Sequence, residues 1–378
     1  MMELFPAILI GGPPHSGKSV LAYSLTQALR TANIDHYLLR ACPDGEGDWA
    51  NEADQATVRA IRVKGEGTPT WVEYICRDIA NRHLPLLVDV GGKPTSWQEL
   101  IFGYCTHAIL LSPEAGSLEP WRERMQRYGL SILAEYETSL TKAERVWSHK
   151  LPLRGILHGL ERGTTAHGPA FAALLEKIKP LFSYQTAELR QAHLATAPVD
   201  NWLELQRLRA TLGIGPVWQP TDLPRLLDYL PAQAPLAIYD RGPNWLYAAL
   251  AWHSYPAPLY QFDPRLGWVK PPELGPGAIS PDSPLLVESI SNRGYDRFKL
   301  EIQESYLDYL EALHLTLPPL HPNRGLILDG KLPLWLWTAL VRRYRQASWL
   351  GVYQPQLGQA VVVGSTIPEI GIGQMVEI

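Results

Sequence analysis

Gly12-Pro13-Pro14-His15-Ser16-Gly17-Lys18-Ser19 fits the phosphate-binding pattern G-x-x-x-x-G-K-[ST]. It stands between a short apolar run, Ala7 to Ile10, and a stretch of helical character from Val20 to Arg30. A triphosphate concentrates negative charge. A site for it needs backbone N–H groups converging from a glycine-permitted turn, a helix N-terminus behind them, and a lysine reaching the outer phosphates. Gly12 and Gly17 open the turn, Ser16 lies within it, Lys18 is the lysine, and Ser19 offers a hydroxyl to the magnesium bridging the outer phosphates. A chance glycine turn before a helix is the plainer alternative, but strand, loop and helix occur here in the required order. ATP and Mg2+ are therefore the expected cofactors.

Outward from this loop, strand-like and helix-like segments alternate in the manner that builds a parallel sheet covered on both faces. The candidate strands are Ala7 to Ile10, His36 to Arg40, Leu86 to Val90, Ala108 to Ser112 and Ser131 to Glu135. Helical patterns fill the gaps at Thr70 to Arg82 and Glu119 to Tyr128, and a last one covers Ala170 to Ile178. The fold class is α/β, with a P-loop NTPase or kinase-like parallel-sheet domain over residues 1–195.

Asp89 closes the apolar run Leu84 to Val88, where a second acidic residue can hold the magnesium; a capping aspartate is the plainer reading. Asp44, Glu46 and Asp48 crowd a glycine-containing loop after the second strand, as a site for a phosphoryl acceptor and its base or as a solvated acidic loop. Arg122, Arg124 and Arg162 are the cations available to a transferring phosphate, and Arg162, in Gly159-Leu160-Glu161-Arg162-Gly163, is the one selected.

A formal net charge of −4 excludes a generally basic nucleic-acid coat, so no duplex DNA is expected and bound phosphates must be met by local sites. Cys42, Cys76 and Cys105 suit neither a disulfide scaffold nor a zinc ribbon, and point to a reducing, cytoplasmic location. No apolar stretch approaches the roughly twenty residues that span a bilayer, and no export signal is visible; a membrane partner is not expected.

After Pro180 the chain reads as linker, with a connecting helix at Trp202 to Leu212, so residues 196–218 are expected to join two domains. Beyond residue 218 tryptophan, tyrosine and proline increase, and a weak duplication emerges. Arg241-Gly242-Pro243-Asn244-Trp245-Leu246-Tyr247-Ala248-Ala249-Leu250 lies over Lys331-Leu332-Pro333-Leu334-Trp335-Leu336-Trp337-Thr338-Ala339-Leu340. Further on, Phe262-Asp263-Pro264-Arg265-Leu266-Gly267 lies over Tyr353-Gln354-Pro355-Gln356-Leu357-Gly358. Two related repeats, 219–283 and 284–378, are expected in an α+β domain. Trp245, Trp335 and Trp337 are spaced as core residues, with stacking on adenine as the alternative.

Gly330 to Leu336, Val352 to Val363 and Gly373 to Val376 together closely resemble the third ring-nuclease family of type III CRISPR systems, which occurs alone and fused to a P-loop domain of AAA or kinase-like type. The resemblance implies degradation of cyclic oligoadenylate, a second messenger of antiviral defence, by an assembly enclosing the ring. In that family a histidine after the Pro-x-Trp helix and an Asp-Pro-Arg turn carry the cleavage. His253, Asp263 and Arg265 are the residues this implies in the first repeat, while Arg345, Gln354 and Gln356 occupy the matching region of the second. Imidazole titrates near neutrality and guanidinium grips two phosphate oxygens, which is what attack of a 2′-hydroxyl on a neighbouring phosphorus needs.

The expected function is thus a ring nuclease acting on cyclic oligoadenylate, cyclic tetra-adenylate in the first instance. Its ATP-binding domain gates assembly or modifies product, Mn2+ is the alternative ion for phosphodiester cleavage, and a homo-oligomer is expected. Two rivals remain open: a small-molecule or nucleotide kinase whose C-terminal half selects the acceptor, and a protein that binds the ring without cutting it.

Overall fold

The structure is a computed structural model describing residues 5–42, 68–114, 116–303, 306–321 and 323–378. The chain gathers into two compact units: one runs to Arg190 and includes Pro264–Gly267 and Tyr306, the other comprises Gln191–Asp263, Trp268–Gln303 and Leu307–Ile378.

The first unit runs β1 (Ala7–Gly11), α1 (Lys18–Thr31), β2 (Tyr37–Ala41), α2 (Pro69–Ala80), β3 (Leu86–Val90), β4 (His107–Ser112), α3 (Glu119–Arg127), β5 (Ser131–Ser139), β6 (Arg145–Ser148), β7 (Leu153–His158) and α4 (Pro169–Phe182). Its seven strands lie in the order β2-β3-β1-β4-β5-β7-β6. Every pairing is parallel except that of β6 with β7. The alternation of side chains along a strand explains why both faces need cover. Ala7 and Leu9, Leu86 and Val88, and Ala108 and Leu110 pack with Ile75 and Ile79 of α2 and Met125 of α3. Their neighbours Ile8, Ile10, Leu87, Ile109 and Leu111 pack on the other face with Leu21 and Leu25 of α1 and Leu174 of α4. Four of the five expected strands fall within one residue of their predicted places because each apolar run is short and bounded, whereas the fifth, expected over Ser131 to Glu135, runs on to Ser139. Strand order reverses around β1, which leaves a crevice at the carboxyl ends of β1, β3 and β4.

The second unit follows α5 (Thr186–Ala195), which straddles the boundary, with β8 (Trp202–Glu204), α6 (Leu205–Thr211), α7 (Leu223–Tyr229), β9 (Leu236–Tyr239), α8 (Asn244–Ser254), β10 (Leu259–Asp263) and β11 (Gly267–Val269). Next come β12 (Gly275–Pro276), β13 (Leu285–Ser291), β14 (Tyr295–Ile302), α9 (Tyr309–Ala312), β15 (Thr316–Leu317), β16 (Gly325–Gly330), α10 (Leu334–Arg343), β17 (Trp349–Gln354), β18 (Gln359–Ser365) and β19 (Met375–Val376). One sheet has the order β11-β10-β9-β8 and another β13-β14-β16-β17-β18-β19. The expected connecting helix at Trp202 to Leu212 is shorter than predicted. Its first three residues pair with Ala237 to Tyr239 as a parallel strand, so the linker stretch builds fold rather than joining two folds.

Two βαβ segments organise this unit, β9-α8-β10 and β16-α10-β17, each with parallel strands. Both helices are capped by an extended proline, Pro243 (φ −67°, ψ 155°) and Pro333 (φ −60°, ψ 149°), because a residue without an N–H is best placed where no intrahelical partner is lost. Residues 241–250 and 331–340 share the same run of exposed, half-buried and buried positions. Helix α8 is apolar on nearly all sides, as suits one packed against both α10 and strands β17 and β18. Gly364 makes room for this: a Cβ there would stand 2.0 Å from the Trp252 ring. Trp245, Trp335 and Trp337 are buried core residues.

Asp296, fully buried at the start of β14, accepts hydrogen bonds from Ser291 Oγ (2.8 Å), His321 Nδ1 (2.8 Å) and Arg324 Nε (3.1 Å). Burial pushes this carboxyl up, but the bonds from His321 and Ser291 and the charge of Arg324 outweigh it and hold it below the ordinary range. A carboxyl lowered on folding stabilises the native state above its unfolded value, near 3.9, and that contribution fades as pH falls through the folded value. The melting-temperature gap between wild type and Asp296→Asn should accordingly narrow as pH falls below about 4. A gap independent of pH would contradict this assignment.

Candidate functional site

The crevice beside β1 holds the octapeptide. Gly12 has φ 140° and Gly17, the cap of α1, has φ 79°, conformations that side chains resist. Space forbids them too: a Cβ on Gly12 would lie 1.9 Å from the Leu111 carbonyl oxygen, and one on Gly17 2.6 Å from Leu160 Cβ. Lys18, only 8% exposed, curls beneath the loop and donates from Nζ to the carbonyl oxygens of Gly12 (3.0 Å) and Pro13 (2.8 Å) and towards Ser16 Oγ (3.4 Å). An ammonium held by neutral carbonyls keeps its charge available to an incoming anion.

Ser19 and Asp89 meet at this crevice, the Ser19 hydroxyl donating to Asp89 Oδ2 at 2.9 Å. The meeting follows from register: Asp89 on β3 lies opposite Ile10 of β1, one residue from the point where the loop departs. Arg40 on β2 also lies opposite Asp89 and donates from Nη1 to the same oxygen at 2.5 Å. Sequence reasoning missed Arg40; its place at the carboxyl end of a strand next to the acidic one is the signal that could have found it. Gly92, after β3, packs on the loop, for a Cβ there would meet Pro14 N at 2.4 Å.

Arg162 is exposed on the loop after β7, the same loop whose Leu160 lies against Gly17. That loop is anchored across α1 by the buried bond from Ala166 N to Ser24 Oγ (2.8 Å). Arg122 and Arg124 are committed elsewhere, to Glu135 and Glu99, each at 2.7 Å. A cleft of about 220 Å³ opens at the carboxyl ends of β2 and β3, lined by Cys42, Val90, Gly91, Lys93, Gln98 and Phe102 among others. Asp44, Glu46 and Asp48 lie outside the described residues.

Of the residues expected to cleave a phosphodiester, His253 and Asp263 are not brought together. Asp263 ends β10 at the carboxyl edge of the β9-β10 pair. His253 sits in the last turn of α8, at the opposite edge, since a helix joining parallel strands runs back along them. The 11 residues of α8 span about 16 Å. His253 Nε2 instead meets the Leu230 carbonyl oxygen at 3.1 Å. Arg265 belongs to the first unit, where its guanidinium pairs with buried Asp78 (3.6 Å) and lies over the rings of Tyr37 (5.5 Å) and Tyr306 (5.9 Å). Tyr306 and Arg77 also bond Asp78, at 2.8 and 2.9 Å. Burial still raises the Asp78 carboxyl above the ordinary range, with Arg265 the main opposing influence. The Asp-Pro-Arg turn therefore gives its arginine to the fabric of the first unit, a use invisible in the local sequence.

Among the described residues no group of three or more His, Cys, Asp and Glu is arranged to hold a metal, and no helix is long and apolar enough to cross a membrane.

Residues 300–377 match the family described as CRISPR-associated protein (Cas_csx3), which indicates a CRISPR-associated role. The match takes in the whole β16-α10-β17 segment. An uncharacterized protein of Aquifex aeolicus (strain VF5) is 36% identical over 55 residues, 15% of this chain and 50% of that protein. The chain thus spans half the length of that relative.

Proposed function

We propose that this CRISPR-associated chain is a ring nuclease that binds cyclic oligoadenylate, cyclic tetra-adenylate in the first instance, and opens it by phosphodiester cleavage to end antiviral signalling. A P-loop domain of kinase-like or AAA type binds ATP and gates assembly or modifies the product. The observation that carries the nucleotide half is the 2.9 Å bond between Ser19 and Asp89 beside a loop shaped by Gly12 and Gly17. Hydroxyl and carboxylate oxygens on rigid elements fit a small hard cation that keeps several waters, so these two residues are the ones to hold Mg2+. Bound there, the ion neutralises charge on the outer phosphates. Lys18 exchanges carbonyl oxygens for phosphate oxygens, while Arg40 and Arg162 supply positive charge on either side.

The ring-binding half rests on the family match over residues 300–377. Opening the ring joins the 2′-oxygen to phosphorus as the 5′-oxygen leaves; the hydroxyl proton passes to a base and the leaving oxygen takes one up. Asp263, at the carboxyl edge of β10, is the base assigned to that transfer. Binding without cleavage is the second reading, favoured by the placement of His253 and Asp263 at opposite edges of the β9-β10 pair and by the pairing of Arg265 with Asp78.

Purified protein incubated with labelled cyclic tetra-adenylate, with and without ATP and Mg2+ or Mn2+, tests both. Linear product is expected from wild type and from His253→Ala, and none from Asp263→Ala, which should still bind the ring. Tight binding without product in wild type selects the second reading. Ring-independent transfer of phosphate to a small acceptor, lost in Lys18→Ala, would select a kinase instead.

A further inference from the structure

We infer that Arg241 and Lys331 are matched phosphate-binding cations, one from each βαβ segment, that hold two phosphates of a cyclic oligonucleotide. This rests on the ring-ligand reading above and extends it to residues assigned no part in it so far. Arg241 follows β9 and Lys331 follows β16, each two positions before the proline that caps the helix, and both are exposed. Each stands where a parallel pair ends at its carboxyl edge, the edge at which open α/β sheets take ligands.

The backbone before Arg241 is held in an unusual shape. Asp240 has φ 81°, a conformation that costs a non-glycine residue stability and persists only where the surroundings enforce it. The enforcing contacts are visible: Gln206 N donates to Asp240 Oδ2 (3.1 Å) and the buried Tyr247 hydroxyl donates to the Asp240 carbonyl oxygen (2.5 Å). In the second segment the acid before the cation, Asp329, is paired with Arg297 at 2.5 Å.

What the two segments retain and lose points the same way. The Asp-Pro-Arg turn of the first becomes Gln-Pro-Gln in the second, so the titratable groups are not shared. The cation, the proline cap and the burial pattern are shared. A ring of identical nucleotides presents identical phosphates, so gripping it symmetrically needs one cation per repeat, whereas cutting it needs only one reactive centre. Guanidinium and ammonium are interchangeable as charges for this purpose, though only the first binds two oxygens in a fork.

The test is the affinity for cyclic tetra-adenylate, measured at several salt concentrations. Arg241→Ala and Lys331→Ala should each weaken binding about tenfold and lower the slope of log affinity against log salt by about 0.7, and the double variant should show twice the change in slope. Arg241→Lys and Lys331→Arg should bind nearly as wild type. Arg293→Ala, an exposed cation in the turn between β13 and β14, should alter neither quantity. Wild-type affinity and slope in both alanine variants would overturn the inference while leaving the ring ligand standing. A wild type that binds no ring would remove the ring-ligand reading, and this inference with it.

Discussion

Lys18→Ala is expected to weaken ATP binding by about a hundredfold, a loss of about 2.7 kcal/mol, as measured by titration calorimetry. The side chain donates to two loop carbonyls within 3.0 Å and so sits beneath the turn of the octapeptide. Hydrogen bonds from a charged donor contribute about 1.5 to 3 kcal/mol each, and the lysine brings one or two of them to the phosphates. The upward shift in melting temperature expected from ATP in wild type should shrink accordingly, because stabilisation by a ligand grows with the logarithm of its free concentration relative to Kd. Equal affinity in variant and wild type would show that the loop is a structural turn and would withdraw the nucleotide from the proposed function.

Asp78→Ala is expected to destabilise the first unit by about 3 to 5 kcal/mol in urea unfolding, the usual cost of removing one partner from a buried ion pair. Asp78 is fully buried and the Arg265 side chain is only 12% exposed, so the guanidinium would lose this carboxylate in a place water scarcely reaches. The double variant Asp78→Ala with Arg265→Met should recover much of the loss, since neither charge then needs solvation. Such recovery would establish Arg265 as a structural partner of Asp78. Additive losses in the double variant, or loss of ring cleavage in a folded Arg265→Met protein, would return Arg265 to the catalytic role that its motif implies.

The parallel sheet was legible because its strands are short apolar runs with period-two partners on both faces, and each run carries that information within a handful of residues. The meeting of Ser19 with Asp89 was legible for a related reason. Once β1 and β3 are neighbours, the lengths of two adjacent strands leave their carboxyl ends little freedom. Arg40 was overlooked because nothing near it marks a site; only the register of β2 against β3 brings it to Asp89. The three residues at 202–204 read as the start of a connecting helix, yet a parallel partner at Ala237 to Tyr239 drew them into a sheet.

His253 and Asp263 were separated by tertiary structure alone. A spacing of ten positions from a histidine to an aspartate says nothing of direction, whereas a helix of known length followed by a strand running back places them at opposite edges. The pairing of Arg265 with Asp78 joins residues from opposite halves of the chain, a contact no local pattern encodes. By itself, then, the amino-acid order determined most of the first unit's strands and helices, the glycine-bounded octapeptide before α1 and the two matching runs of cation, proline and helix, because those follow from local propensity and spacing. Which edge each reactive group occupies, and which charges neutralise one another, was decided only when the chain folded, because long-range packing sets register and brings distant ions into the same low-dielectric space.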